Sequence, residues 1–240
     1  MVIIYFKTCC TLRSERFGIN PDIQNIFNNI YSKKIWGDYG GGSGSGSAVE
    51  NTPNLRNILT KFVIDKKISS FLDLPCGSCV WTSVWLEELR MLNIKISYYG
   101  MDIANDAVMN CEKNMSELKL FHNIDIKIGD MSESILPVTD ALLTRDTLQH
   151  LSYDNIFKSL KNFAKYNIKW YIIGGYNESS GNSNINNGDC FDFNITKEPF
   201  SLVPDSIIKE ENYMTTGIEP NKYLFIFEGN NFRNQIAKFN

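Results

Sequence analysis

The sequence has no long apolar run, no basic run and only two histidines. No stretch approaches the roughly 18 apolar residues of a membrane-spanning helix, and the opening Met1-Val2-Ile3-Ile4-Tyr5-Phe6 is shorter than a signal-peptide core. The chain therefore reads as soluble and cytoplasmic, with no membrane partner. Acids (27) outnumber Lys and Arg (24), for a net charge of -3, and no cluster of basic residues exists that would grip a phosphate backbone. That excludes a dedicated role on duplex nucleic acid and leaves a single-stranded RNA end open. Cys9, Cys10, Cys76, Cys79, Cys111 and Cys190 are scattered and lack an export signal, which predicts reduced thiols rather than a disulfide framework. One close Cys pair and two separated histidines make no four-ligand zinc set, so no metal is expected.

What the sequence does have is alternation. A chain of 240 residues can bury a sizeable core in one domain. From residue 69 onward, short apolar runs at 70–74, 96–101, 125–128, 140–144 and 170–174 alternate with amphipathic segments at 80–91, 106–118 and 153–166. That is the sign of βαβ units and a parallel sheet. Two further strands are expected at 206–209 and 222–228, the second with Tyr223, Phe225 and Phe227 alternating as core residues. Ahead of the sheet, Pro21 opens a helix over 21–32 with Ile23, Ile26, Phe27 and Ile30 on one face, and Asn51-Thr52-Pro53 starts another. Between them the Gly/Ser tract at 36–47 reads as a flexible loop. The polar stretch 176–199 is too long for an ordinary connection and is expected to be functional or disordered.

Phe71-Leu72-Asp73-Leu74-Pro75-Cys76-Gly77 is an apolar strand ending in an acid and a tight turn, which brings backbone close to a ligand at the carboxyl edge of the sheet. It lacks the three glycines of a dinucleotide fingerprint and the Gly-Lys-Ser/Thr of a phosphate loop, so a pyrophosphate ligand is disfavoured. The second strand ends in Tyr99-Gly100-Met101-Asp102, where an acid can accept both hydroxyls of a ribose, and the third in Ile128-Gly129-Asp130-Met131, where another can accept from an adenine amino group. A nucleoside without phosphates fits. The fourth strand runs into Thr144-Arg145-Asp146-Thr147-Leu148-Gln149-His150. A neutral imidazole there suits the removal of a hydroxyl proton, with Asp146 one helical turn away to hold its tautomer. Arg145 could bind a carboxylate. His122, in a Leu-Phe-His-Asn stretch, reads as structural.

Over roughly residues 55–170 this pattern resembles the class I methyltransferases that use S-adenosylmethionine (SAM) and release S-adenosylhomocysteine. The resemblance implies a doubly wound, Rossmann-like sheet of seven strands in the order 3-2-1-4-5-7-6. It implies an N-terminal helical and Gly/Ser-rich lid over 1–50 and a methyltransferase domain over 51–240. The Asp-x-Pro-Cys-Gly turn replaces the more common Gly-x-Gly. Together with Trp36-Gly37, the Ser-Gly run at 43–47 and Glu50-Asn51-Thr52, it is similar to small enzymes of glycan-modification clusters. Asp73, Pro75, Cys76 and Gly77 would hold the methionine end, Asp102 the ribose and Asp130 the adenine, with Trp36, Arg56, Ile103, Met131 and Arg145 completing the cofactor set. His150, Asp146 and Arg145 would be catalytic, and Tyr176, Asn177 and Asp189 would meet the acceptor, a sugar hydroxyl on a glycan or nucleotide-sugar. An RNA end or a small metabolite is the other acceptor class. Cys76-Gly77-Ser78-Cys79 offers a rival reading, since Cys-x-x-Cys opening a helix after a strand is the layout of thioredoxin-like redox sites.

Overall fold

The computed structural model describes residues 18–211 and 221–239; the apolar opening, Cys9 and Cys10 lie outside them. Helix α1 (Pro21–Ser32) starts where a cap precedes a proline. The Asn20 side chain accepts from the backbone N–H groups of Asp22 and Ile23, and Pro21 has no N–H to satisfy. Ile23, Phe27, Ile30 and Tyr31 are its buried face. There follow α2 (Pro53–Asp65), β1 (Ser70–Asp73), α3 (Val80–Met91), β2 (Ser97–Asp102), α4 (Asn105–Asn114), β3 (Asn123–Ile128), β4 (Ala141–Thr144), α5 (Tyr153–Phe163), β5 (Trp170–Gly175), β6 (Ser206–Glu210), β7 (Lys222–Glu228) and α6 (Gly229–Ile236).

The strands form one sheet in the expected order, β3-β2-β1-β4-β5-β7-β6. β1 to β5 pair in parallel, while β7 runs antiparallel to both β5 and β6. Central strands covered on both faces read as continuous apolar runs, and all four residues of β4 are buried. Successive residues feed opposite cores: Phe71, Leu143 and Ile172 join a cluster with α2 and α3, whereas Leu72, Leu142 and Ile173 join α1, α5 and α6. The strand order reverses between β1 and β4, and at such a switch point the crossovers part and leave a crevice at the carboxyl ends.

Three expectations change. The Gly/Ser tract is not a loose loop: it folds into short 3-10 turns at Tyr39–Gly42 and Ser45–Ser47, followed by another at Val49–Asn51. It is bonded to the body of the protein by Tyr31 with Ser43 (2.8 Å) and by the Ser78 hydroxyl to the Gly41 carbonyl (2.7 Å). Gly41 sits at φ 67°, where a Cβ would lie 2.8 Å from that of Ser78, so glycine is what lets the strip seat. The thiols are not all reduced, because Cys79 and Cys111 form a disulfide. The start of α3 and the middle of α4 meet on one face of the sheet with the two Cα atoms 4.7 Å apart. Finally, α6 has no counterpart in the expected elements. It anchors through Phe232, which stacks on Tyr171 with ring centroids 4.1 Å apart. No helix of the described residues is long and apolar enough to cross a membrane.

Asn20→Ala should lower stability by about 1 kcal/mol, the usual worth of an N-cap. Denaturant unfolding checks this, with Asn20→Ser expected to stay near wild type; an unmoved midpoint in Asn20→Ala would remove the cap from the account of α1.

Candidate functional site

A cleft opens at the carboxyl ends of β1 to β4, roofed by Ile23, Phe27 and Tyr31 of α1, with about 900 Å³ of empty space when its open mouth is included. That is the scale of a nucleoside-sized ligand site. Its floor is the turn after β1. The Leu74 N–H bonds the Leu143 carbonyl and the Cys76 N–H bonds the Met101 carbonyl, each at 2.9 Å, so the turn is tied to β4 and β2. The Gly77 N–H donates to Asp102 Oδ2 (2.9 Å), the Ser78 N–H to the Ser43 hydroxyl (3.2 Å) and the Cys79 N–H to the Cys76 carbonyl (3.2 Å). Every one of these N–H groups has a partner within the protein. The turn is not an open nest for phosphate oxygens.

Two buried carboxylates face this floor. Asp73 Oδ2 accepts from the Tyr98 hydroxyl (2.8 Å) and the Thr82 hydroxyl (3.2 Å). Burial nevertheless pushes its carboxyl up to about 7. Asp102 accepts from Gly77 on one oxygen and from the Ala104 N–H (2.8 Å) on the other; burial raises it to about 6 against those bonds. Asp130 also lines the cleft, with Oδ1 on the N–H and hydroxyl of Ser132 and Oδ2 on the Asn20 N–H (3.1 Å), so the third acid doubles as the tie between β3 and α1. Trp36, Pro75, Cys76, Ile103 and Met131 complete its walls with Gly77.

Arg145, Asp146 and His150 are brought to the cleft, but not in the arrangement expected. Asp146 has φ 54°, and the following turn, Leu148–His150, is 3-10, so the pair does not share an α-helical turn. Asp146 Oδ2 instead meets Lys222 Nζ (2.8 Å) and Arg145 Nη1 (2.9 Å). His150 is oriented by a main-chain group, with Nδ1 2.9 Å from the Asp189 carbonyl oxygen. A carbonyl only accepts, so Nδ1 carries the hydrogen and Nε2 keeps its lone pair. Burial holds the imidazole below its ordinary pKa, and the Trp36 ring lies over it at 4.7 Å. Arg145 grips Glu210 with Nε and Nη2 and the Gly46 carbonyl with Nη1 (3.0 Å), which makes it a buried tie rather than a free anion receptor.

Other expected residues lie elsewhere. Arg56 does not line the cleft; it bonds Glu88, Thr52 and the Val49 carbonyl, bracing the segment before α2. Tyr176 lines a second hollow that shares Trp36, Ser43, Asp146 and His150 with the first. Asn177 and Asp189 contribute main-chain carbonyls, to Asn194 and His150. The Asn-rich loop is bonded to the start of α5, Asn187 accepting from the Ser152 N–H and Asn184 from the Tyr153 N–H, while Asn182 donates to the carbonyls of Asn194 and Glu198. His122 is structural, set between the Leu86 carbonyl and the Ile96 N–H.

Sequence reasoning missed Lys222, Gln149 and Asp192 in the second hollow. Lys222 opens a strand and reads as an ordinary edge charge; only the antiparallel register, which pairs it with Glu210, reveals its place. The redox reading of Cys76 and Cys79 is overturned, because Cys79 is bonded to Cys111 and the sheet has seven strands. The sulfurs of Cys76, Cys79 and Cys111 lie within 4.8 Å of one another, but the bond leaves one thiol, which burial pushes well above its usual range.

No family model matches the chain, and no curated protein matches it in sequence. Solved structures do match in fold. Magnesium protoporphyrin IX methyltransferase from Synechocystis PCC 6803, crystallised with bound SAH, superposes with a TM-score of 0.55 at 10% identity over 86% of this chain and 97% of its own. The same enzyme with bound SAM gives 0.54 at 11% identity over 86% and 94%. A putative class I S-adenosylmethionine-dependent methyltransferase from Listeria monocytogenes gives 0.53 at 15% over 72% and 57%. The chain thus has the seven-stranded, Rossmann-like α/β fold in which these methyltransferases are built.

Proposed function

We propose that the chain is a SAM-dependent methyltransferase acting on a hydroxyl, with a sugar of a glycan or nucleotide-sugar as the acceptor. The observation that carries the first part is the cleft floor, where two buried acids face the site and every N–H of the β1 turn is already bonded. Such a floor favours donors and positive charge and offers phosphate nothing. In this reading Asp102 would take the ribose hydroxyls and Asp73 with the turn the ammonium end, Ile103 and Met131 would flank the adenine beside Asp130, and Trp36, over His150, would lie at the methyl end. When bound, SAM supplies an electrophilic methyl on a sulfonium.

The chain's own residues supply alignment and proton removal. His150 keeps an unprotonated Nε2, 3.5 Å from the Gln149 amide nitrogen, so an acceptor hydroxyl in the hollow lined by Tyr176 and Gln149 can pass its proton there by displacing that long contact. The sugar acceptor rests on the resemblance of the Trp36-Gly37 and Ser-Gly leader, supported by the amide, aromatic and carboxylate groups of that hollow. A methyl-transfer screen on sugars, glycans and nucleotide-sugars tests it; transfer to RNA ends alone would sink the sugar acceptor and keep the methyltransferase.

Asp102→Ala should weaken SAM binding by about 1 to 3 kcal/mol, since buried ribose hydroxyls would lose a charged acceptor. In wild type the affinity should fall as pH drops through about 6, where Asp102 takes up a proton. Calorimetry on both proteins checks this, and equal affinities would dismiss the ribose assignment. His150→Ala should lower kcat by about 10² to 10⁴ with SAM affinity unchanged, and the wild-type rate should fall at acidic pH as the imidazole protonates. Full activity of that variant on its acceptor would leave alignment alone as the source of rate.

A further inference from the structure

Four charges form a chain beside His150, Glu210–Arg145–Asp146–Lys222. Arg145 pairs with Glu210, Lys222 with Asp146 (2.8 Å), and Arg145 with Asp146 (2.9 Å), while β6 and β7 place Glu210 directly opposite Lys222. The chain of charges is tightly packed: a Cβ on Gly46 would collide with both the Asp146 carboxylate and the Lys222 ammonium. Lys222 is largely buried for a lysine, its side chain 11% exposed. Holding a long, flexible side chain there costs rotamer entropy, so a specific contact must fix it.

We propose that Lys222 is a positioning residue: by drawing Asp146 onto its ammonium it keeps that carboxylate off His150, so the imidazole stays turned onto the Asp189 carbonyl with Nε2 unprotonated. This rests on the reading of His150 as the base. Without Lys222, Asp146 would keep only Arg145, which Glu210 also holds, and its negative charge would act on the imidazole without the opposing ammonium. The groups that share the hollow with His150 are Asp146, Asp192, Tyr176 and Lys222, with Arg145 in the adjoining cleft. Of these, Asp146 favours the imidazolium and Lys222 opposes it. Burial favours the neutral imidazole first, and the lysine charge adds to it against Asp146.

The test is NMR titration of the imidazole signals in the full chain without ligand. The chain has only two histidines, and His122→Gln assigns the pair. Lys222→Met should move the His150 titration to higher pH, Lys222→Arg should restore it, and Asp146→Asn should move it lower. Opposite displacements on neutralising the two partners are not what loosened packing would give. If Lys222→Met does not fold, Lys222→Gln carries the same expectation. A His150 titration unmoved by loss of the lysine charge in a folded variant would overturn the proposal. The readout needs no acceptor, so it stands apart from the methyl-transfer assay. A shifted titration with His150→Ala fully active would keep the electrostatics and discard the base, whereas an unmoved titration with His150→Ala inactive would do the reverse.

Discussion

Arg145 is the residue on which the carboxyl edge of this sheet depends. It leaves the end of β4 and reaches Glu210 on β6, Asp146 beside it and the Gly46 carbonyl of the Gly/Ser strip. One guanidinium thus joins the center of the sheet, its antiparallel edge and the strip that lies over the cleft. A buried ion pair adds little stability over apolar packing, but removing one partner strands the other and costs roughly 3 to 5 kcal/mol. The chain of pairs ending in Lys222 avoids that cost by giving each charge a partner of opposite sign. It also explains Gly46, because only a residue without a Cβ lets the strip reach Asp146 and Lys222 there.

The same economy of partners shapes the ligand site. A turn at the end of a first strand is, in many nucleotide-binding proteins, an anion cradle made of unbonded N–H groups. Here those groups bond Asp102, Ser43 and the Cys76 carbonyl, and the remaining character of the floor is that of two desolvated acids. The site has changed sign relative to a phosphate loop while keeping its place in the fold. This is why the turn sequence, which lacks both glycine fingerprints, agrees with the geometry.

Much of the fold was legible because it follows from periodicity. The expected bounds of α1, α3 and β7 are those observed, and the ends of β1 and β4 fall within a residue of expectation. The acids Asp73, Asp102 and Asp130 were legible because strand ends in a parallel sheet share one edge. What escaped depends on contacts distant in sequence. α6 carries only Phe232 and Ile236 as buried apolar side chains, too few for a periodic signal. The Cys79–Cys111 bond joins residues 32 apart, and which cysteines meet is set by how two helices pack. Asp146 and His150 have helical spacing, yet the left-handed Asp146 and the 3-10 turn after it keep them from sharing an α-helical turn, and Asp146 bonds Lys222, 76 positions on. Arg56 illustrates the converse, a basic residue near the site by sequence whose donors are taken by Glu88 and Thr52.

The central claim is that this cleft receives a nucleoside bearing positive charge and no phosphate. Equilibrium titration of the wild-type protein with SAM and, in parallel, with NAD puts it to the most direct test. One-to-one binding of SAM with no detectable binding of NAD is the predicted result. Binding of NAD without binding of SAM would contradict it, because the bonded turn and the paired acids would then have been read with the wrong sign.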